Sequence, residues 1–125
     1  MPMTTYAQRK ALGDYGERVA TRRLLDAGYD VLDRNWRCSD GEIDIVARDG
    51  GDLVVCEVKT RRSTAYGTPL EAVDQRKFAR LHHLGLRWLA DHPQRTQARL
   101  RVDVVTVLRP RGGGPAQVEH LVGLV

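Results

Sequence analysis

The sequence is poor in the features that build disulfide scaffolds, zinc sites and membrane spans. Its 125 residues include two cysteines, Cys38 and Cys56, which are too few for a disulfide framework and lack the paired spacing of a zinc site. The longest apolar runs are only a few residues, so no segment is long enough to cross a bilayer. No apolar stretch follows the basic residues within 1–10, which argues against a secretory signal. We therefore expect one domain over 1–125, soluble and cytoplasmic, with no membrane partner.

Acidic side chains are scarce in the second half of the chain. Residues 1–58 hold 8 basic and 11 acidic side chains, a net charge of −3, whereas residues 59–111 hold 12 basic and 4 acidic ones, a net charge of +8. A basic segment that directly follows an acidic one fits a polyanion-binding surface beside a cation site. A mixed, solvated surface is the alternative, and the charge pattern alone leaves both interpretations open.

The hydrophobic pattern predicts an α/β domain with the element order α-β-β-β-α-β-β. Apolar residues recur every three or four positions in the two helical segments, and Gly50-Gly51 suits the turn of a β-hairpin. The second helix is predicted to begin at Thr68-Pro69, with Glu71 closing a capping box, although Asp74 offers a second cap. The predicted helices cover 11–27 and 68–90, with a break near 73, and the predicted strands cover 29–37, 42–48, 53–60, 100–108 and 117–122.

The Gly50-Gly51 turn fixes the register of the strands on either side of it. Opposed residues then have numbers that add to 101, so Asp44 faces Glu57 and Glu42 faces Lys59. These four side chains project from one face of the hairpin, which we expect to border a cleft or solvent. The opposite face is wholly apolar and is therefore predicted to belong to the core, with Ile43, Ile45, Ala47, Val54, Cys56 and Val58.

Asp44 and Glu57 predict a cation site, because two carboxylates roughly 5 Å apart across a strand pair repel each other. Mg²⁺ is the natural compensating ion, since it accepts one or two carboxylates, a backbone carbonyl such as that of Val58, waters and a substrate phosphate. Lys59 lies two residues beyond Glu57 on the same face, close enough to touch an attacking water or a scissile phosphate. This arrangement indicates hydrolysis. The alternative is a charge ladder in which Lys59 and Glu42 merely neutralise the acids on a solvated face.

Further candidate residues flank this group. Glu17 borders the apolar stripe of the first helix and is a candidate ligand of the metal or the water, with an exposed helical glutamate paired to a neighbouring arginine as the equal alternative. Arg61 and Arg62 follow the third strand, where they suit phosphates on either side of the scissile bond. Arg76 and Lys77 lie near the start of the second helix, where backbone N–H groups and basic side chains favour anions. These four basic residues are the predicted DNA contacts.

Several short motifs, spread over roughly 11–108, are more specific together than any one is alone. They are Gly16-Glu17, Arg34-Asn35 with Arg37, Gly41-Glu42-Ile43-Asp44, Glu57-Val58-Lys59 with Arg61, Gly67, Pro69, Glu71-Ala72-Val73 and Lys77. In combination they resemble the small bacterial YraN-like family. That family is described as predicted endonuclease-like and is related to archaeal Holliday-junction resolvases and to the PD-(D/E)xK restriction-endonuclease-like superfamily.

The resemblance implies a restriction-endonuclease-like fold, a mixed sheet flanked by helices. It also implies that Asp44 and Glu57 hold the metal, that Lys59 positions or activates the water, and that Glu17 joins them. Ile43 stands where the named motif has proline, which leaves the carboxylate chemistry intact. We therefore expect an endonuclease that uses Mg²⁺, with Mn²⁺ as an alternative, on DNA, including branched DNA. A catalytically silent DNA-binding or interaction module with the same fold stays open, as does a homodimer.

Overall fold

A computed structural model describes residues 5–62, 75–95 and 99–124 of the chain. Its helices and strands follow the order α-β-β-β-α-β-β, as the sequence predicts. The predicted helix start at Thr68, with Pro69 and Glu71, lies outside the described residues. The elements are α1 (Tyr6–Asp26), β1 (Asp30–Cys38), β2 (Gly41–Asp49), β3 (Asp52–Arg61), α2 (Gln75–Asp91), a 3₁₀ turn (Pro93–Arg95), β4 (Arg99–Leu108) and β5 (Gln117–Leu121).

Helix α1 begins at Tyr6, five residues before its predicted start at Ala11. The Thr5 side chain accepts a hydrogen bond from the Gln8 amide at 3.1 Å, and Gln8 Oε1 accepts one from the Thr5 amide at 2.8 Å. This reciprocal capping box satisfies amides that the first helical turn leaves unbonded, which explains the earlier start. The predicted end is confirmed, because Gly28 follows the helix with a φ of +89°. Neither described α-helix combines the length and apolar character that a membrane crossing requires.

The five strands form one mixed sheet in the order β1-β2-β3-β4-β5. Strands β3 and β4 are parallel, and the other neighbours are antiparallel. The register predicted for the β2–β3 hairpin is confirmed from the pair Asp49–Asp52, at the closed end beside the turn, to the pair Ile45–Cys56. The open end of the hairpin lies beyond that last pair, and it carries the other side chains for which a pairing is predicted: Asp44, Glu57, Glu42 and Lys59.

Both faces of the sheet are covered, so the prediction that the Asp44–Glu57 face borders a cleft or solvent is wrong for most of that face. Val46 and Val55 on this face are fully buried under α2. The physical reason is the parallel β3–β4 pair, whose crossover connection carries a helix onto the sheet. One core, which includes residues of α1, contains Ala20, Leu24, Tyr29, Ile45, Ala47, Val54, Cys56, Val105 and Val107. The other, which includes residues of α2, contains Ile43, Val46, Leu53, Val55, Leu81, Leu84, Trp88 and Val102.

The alternation between the two faces is interrupted near the open end. Ile43, which alternation predicts in the α1 core with Ile45, lies in the α2 core, and its partner Trp36 on β1 packs there too. Asn35, the residue before Trp36, has a φ of +53°, a left-handed conformation that bends the strand. Asp44, between Ile43 and Ile45, therefore lies where the hairpin changes from one core to the other.

Candidate active site

The candidate catalytic residues meet at the open end of the β2–β3 hairpin. The Oδ2 atom of Asp44 accepts a hydrogen bond from the Val58 amide at 2.8 Å, which ties β2 to β3. The Oε1 atom of Glu57 lies 3.5 Å from Lys59 Nζ and 3.2 Å from Lys77 Nζ. The structure thus brings three predicted catalytic residues together and adds Lys77, which the sequence predicts only as a DNA contact.

Several of these side chains line a cavity of about 170 Å³, which we call the site cavity. Its polar wall comes from the hairpin and from the first turns of α2, whereas its apolar wall comes from leucines of the α2 core. A space of this size suits a phosphate group with a few waters rather than a nucleobase stack. The lining residues are Glu42, Asp44, Glu57, Lys77, Arg80, Leu81 and Leu84.

The surroundings of Asp44 disfavour the ionised form of its carboxyl group. Its pKa is raised to about 6, first by burial and then by the negative charge of Glu57, while the hydrogen bond from the Val58 amide opposes both. The charges of Glu17 and Glu42 raise the pKa further. Across residues 5–62, 75–95 and 99–124, no lysine, arginine or histidine pairs with Asp44. The carboxyl is therefore a group whose ionised form would gain from a nearby positive charge.

Two lysines share the Glu57 carboxylate. Lys59 comes from β3 and Lys77 from the first turn of α2. Their side chains are 28% and 31% exposed, against 14% for Glu57, so all three are partly withdrawn from solvent. Burial lowers the pKa of Lys59, and the neighbouring Lys77 lowers it further. Of the two predicted metal-holding acids, Glu57 thus contacts two cations, and Asp44 contacts none among the described residues.

Glu17 approaches the site from α1 and is held there by two donors from β1. It is buried, and its Oε1 atom accepts hydrogen bonds from Arg34 Nε at 3.2 Å and from Asn35 Nδ2 at 2.9 Å. Its charge is near enough to raise the pKa of Asp44. The alternative predicted for Glu17, an exposed helical glutamate paired with a neighbouring arginine, is wrong, because this glutamate is buried and its arginine partner, Arg34, lies on β1.

Helix α1 comes unusually close to β3 beside the site. A Cβ atom added at Gly16 would lie 1.7 Å from Thr60 Oγ1, a separation that two non-bonded heavy atoms cannot adopt. A side chain at this position would therefore push α1 away from the strand. Gly16 keeps Glu17, the next residue, close to the strand that carries Glu57 and Lys59.

The four predicted phosphate contacts divide into one residue inside the site and three outside it. Lys77 lines the site cavity and pairs with Glu57. Arg61 is the last residue of β3 and is half-buried, whereas Arg62 follows it on the exposed surface. Arg76 is exposed in the first turn of α2. The last three remain candidate contacts for phosphates beyond the cavity.

Sequence reasoning missed two residues of this region, Arg80 and the backbone of Asn35. Arg80 lines the site cavity three residues after Lys77, and this helical spacing was a signal that could have placed both on one face of α2. The left-handed conformation of Asn35 had only a weak signal, since asparagine tolerates positive φ but occurs in strands without it. The structure adds both to the site.

The closed end of the hairpin carries a second acidic pair in different surroundings. Arg101 Nη1 lies 3.0 Å from a carboxylate oxygen of Asp49 and 3.0 Å from one of Asp52. The same guanidinium donates through Nε to Asp103 Oδ1 at 3.0 Å. Burial alone would raise the pKa of Asp103, but its hydrogen bonds hold that pKa below the ordinary value. The donors to Asp103 come from Arg101, Tyr29, His120 and the Gly123 amide.

Asp44 and Glu57 are the carboxylates available for a cation at the open end. The Val58 carbonyl points to the same edge of β3 as its amide, which meets Asp44, because both groups of a strand residue face one side. In the ranges that the structure describes, no three histidine, cysteine, aspartate or glutamate side chains are grouped as a metal site. Two carboxylates and a carbonyl suit Mg²⁺, which retains several waters, better than zinc or calcium, which need more protein ligands.

Comparison with known proteins identifies the family. The family model described as "Uncharacterised protein family UPF0102" matches residues 16–107, which include every candidate residue of the site. A UPF0102 protein from Kineococcus radiotolerans is 60% identical over 116 residues, which cover 93% of this chain and 94% of the relative. One from Beutenbergia cavernae is 56% identical over 116 residues, covering 93% of this chain and 97% of the relative. The chain therefore belongs to the UPF0102 family, the YraN-like family that its motifs resemble.

Proposed function

We propose that this protein is a Mg²⁺-dependent endonuclease that hydrolyses phosphodiester bonds in DNA. The observation that carries the proposal is the open end of the hairpin, where Asp44, which has no ion-pair partner in the described ranges, and the lysine-bound Glu57 line one small cavity. Gathered like charges of this kind favour a functional site over a structural one. The resemblance to nuclease-related families favours DNA as the substrate, including branched DNA. We also propose that the protein acts in the cytoplasm, where bacterial DNA lies.

Each residue of the site has a separate part in this reaction. Asp44, Glu57 and the Val58 carbonyl would hold the cation. When bound, a divalent cation stabilises the charge that develops on the phosphate oxygens. Lys59 positions the water whose oxygen forms the new bond to phosphorus as one P–O ester bond breaks, leaving a phosphate on one end and a hydroxyl on the other. Lys77 holds Glu57 and offers its charge to the phosphate.

The test is a cleavage assay on linear, flap, nicked and four-way-junction DNA with Mg²⁺, Mn²⁺ or EDTA. We expect cleavage with a divalent cation and a loss of at least about 100-fold in Asp44→Asn and in Glu57→Ala, because each removes a negatively charged carboxylate ligand. Asp30→Asn is the matched control, since Asp30 is an exposed carboxylate of β1 that pairs with Arg48. It should cleave as the wild type does.

Full activity in either site variant would contradict the roles of Asp44 and Glu57. DNA binding that survives EDTA, without cleavage of any substrate, would instead identify a catalytically silent binding module. An absence of salt-dependent DNA affinity would point to a protein-interaction or dimerisation domain.

A further inference from the structure

A second cavity adjoins the site cavity at the tip of the β1–β2 hairpin. This space of about 380 Å³, which we call the hairpin cavity, shares two lining residues with the site cavity, Glu42 and Arg80. Its lining residues are Arg37, Cys38, Ser39, Gly41, Glu42 and Arg80. A ligand that extends beyond the site cavity on this side therefore passes Arg80.

The arginines around the hairpin cavity differ in how their charge is balanced. Arg37 Nε lies 3.2 Å from Glu42, and Arg87, seven residues after Arg80 on α2, lies 2.7 Å from Asp40. Arg80 makes no hydrogen bond or ion pair with any residue that the structure describes. The described residues therefore leave its N–H donors open to an anion, while the pairing with Arg37 offsets the nearby charge of Glu42.

Gly41, at the tip of the β1–β2 hairpin, lies next to the Arg80 guanidinium. A Cβ atom added at Gly41 would lie 2.8 Å from Arg80 Nη2 and 3.5 Å from Arg80 Cζ. The guanidinium thus occupies space that any other residue at this position would fill. Gly41 also has a φ of +141°, which L side chains rarely adopt. Glycine at position 41 therefore leaves room for the guanidinium beside the tip of the β1–β2 hairpin.

Resting on the function proposed above, we propose that Arg80 binds the DNA phosphate next to the scissile phosphate, within the hairpin cavity. A planar guanidinium whose donors no described residue takes up suits two parallel hydrogen bonds to phosphate oxygens. Its place in the wall shared by the two cavities puts it between the site at Asp44 and Glu57 and the neighbouring stretch of the DNA strand. Arg80 therefore aligns the strand so that one phosphodiester bond enters the site cavity.

The test measures DNA binding rather than cleavage, in the cleavage-deficient Asp44→Asn protein with EDTA. Affinity for linear and four-way-junction DNA is measured from about 50 to 200 mM salt, with and without Arg80→Ala. We expect the substitution to weaken binding roughly tenfold and to lower the slope of log affinity against log salt by about 1, because one phosphate contact is lost. Arg87→Ala is the matched control, since it removes an arginine of the same helix that is already paired with Asp40. It should leave affinity and slope unchanged.

Gly41→Ala tests the same contact without removing the charge. Its Cβ would displace the guanidinium, so we expect affinity to fall in the same direction, and thermal unfolding shows whether the strained backbone still folds. If the wild type cleaves DNA but Arg80→Ala binds with the slope and affinity of Arg87→Ala, the role of Arg80 is overturned and the nuclease function stands. If the wild type neither binds nor cleaves any DNA, the proposed function fails, and the role of Arg80 fails with it.

Discussion

The two ends of the β2–β3 hairpin carry the same kind of side chains in opposite electrostatic surroundings. At the closed end, the single guanidinium of Arg101 contacts both Asp49 and Asp52. At the open end, the two lysines contact Glu57, whereas Asp44 accepts one amide hydrogen bond and pairs with no cation in the described ranges. At the closed end both acids of this strand pair thus contact a cation, whereas at the open end Glu57 does so and Asp44 contacts none in the described ranges.

Hydrogen bonds and ion pairs distinguish Asp103, on β4, from Asp44, because burial raises the pKa of both carboxyls. Asp103 has an exposed fraction of 0%, yet its donors hold its pKa below the ordinary value. Asp44 is less deeply buried, yet its pKa is raised to about 6. A carboxylate whose oxygens already accept several hydrogen bonds stabilises the fold. A carboxylate with one donor and no cation partner among the described residues is suited to bind a positively charged ligand. The comparison supports a structural role for the contacts of Arg101 and agrees with the function proposed for the open end.

The largest expected effect on stability is at Asp103, the buried β4 partner of Arg101. We expect Asp103→Asn to lower the free energy of unfolding by about 3–5 kcal/mol, because Arg101 would stay buried without its innermost partner. Since the pKa of Asp103 is lowered in the folded state, its contribution is present above pH about 4 and is lost as the pH falls further. Urea unfolding at pH 7 and at pH 3 measures both effects.

Asp52→Asn is the control for this prediction. It removes another carboxylate from the same guanidinium, but at a side chain that is 25% exposed, so we expect a loss of only about 1 kcal/mol. Equal losses in Asp52→Asn and Asp103→Asn would mean that the stability of the fold does not depend especially on the buried contact between Arg101 and Asp103.

The open end should respond in the opposite direction. We expect Asp44→Asn to raise the free energy of unfolding by about 1–3 kcal/mol at pH 8 in EDTA. Because the folded protein binds the Asp44 proton more tightly than the unfolded chain does, wild-type stability falls as the pH rises from about 4 to about 6. Asparagine keeps an acceptor for the Val58 amide without the charge, so the variant lacks this dependence. Urea unfolding at pH 4 and pH 8 measures the difference, which should be present only at pH 8.

Asp49→Asn provides the matched change at the closed end and should not stabilise the protein, since Asp49 pairs with Arg101. A stabilising effect there, or none in Asp44→Asn, would remove the contrast between the ends. Added Mg²⁺ should stabilise the wild type more than Asp44→Asn, as expected for a ligand that binds only the folded state.

Glu17 sharpens the comparison, because it lies near the open end but has the donors of Arg34 and Asn35. Asn35→Gly and Asn35→Ala both remove one donor, but only glycine adopts the φ of +53° without strain. We therefore expect Asn35→Ala to be about 1 kcal/mol less stable than Asn35→Gly in urea unfolding. Equal stability would show that the backbone at this position relaxes freely.

The sequence predicted the local features of this fold better than the contacts between distant segments. The hairpin register followed from Gly50-Gly51, because a two-residue turn leaves the strands one pairing, and the structure confirms it as far as Ile45–Cys56. The covering of the Asp44 face by α2 was not predicted, since alternation shows which residues share a face but not what packs on it.

In the candidate site, too, the contacts within one hairpin were predicted and those between distant segments were not. Asp44, Glu57 and Lys59 were grouped from one hairpin, and the structure brings them together. Lys77 and Arg80 join them only because α2 crosses the sheet, a tertiary arrangement that the spacing within the helix does not fix. The contacts around Arg101 and Asp103 were not predicted for a similar reason, because the residues that make them come from the α1–β1 connection, the β2–β3 hairpin and β5.

The hydrogen bond from the Val58 amide to Asp44 gives the protein an internal probe. The Val58 amide proton in β3 is hydrogen-bonded to a carboxylate of the candidate site rather than to bulk water. Its nuclear magnetic resonance frequency and its rate of exchange with deuterium therefore depend on the state of that carboxylate. Spectroscopy on a single nitrogen-labelled valine can thus follow proton loss or ligand arrival at the site without any dye, substrate or mutation.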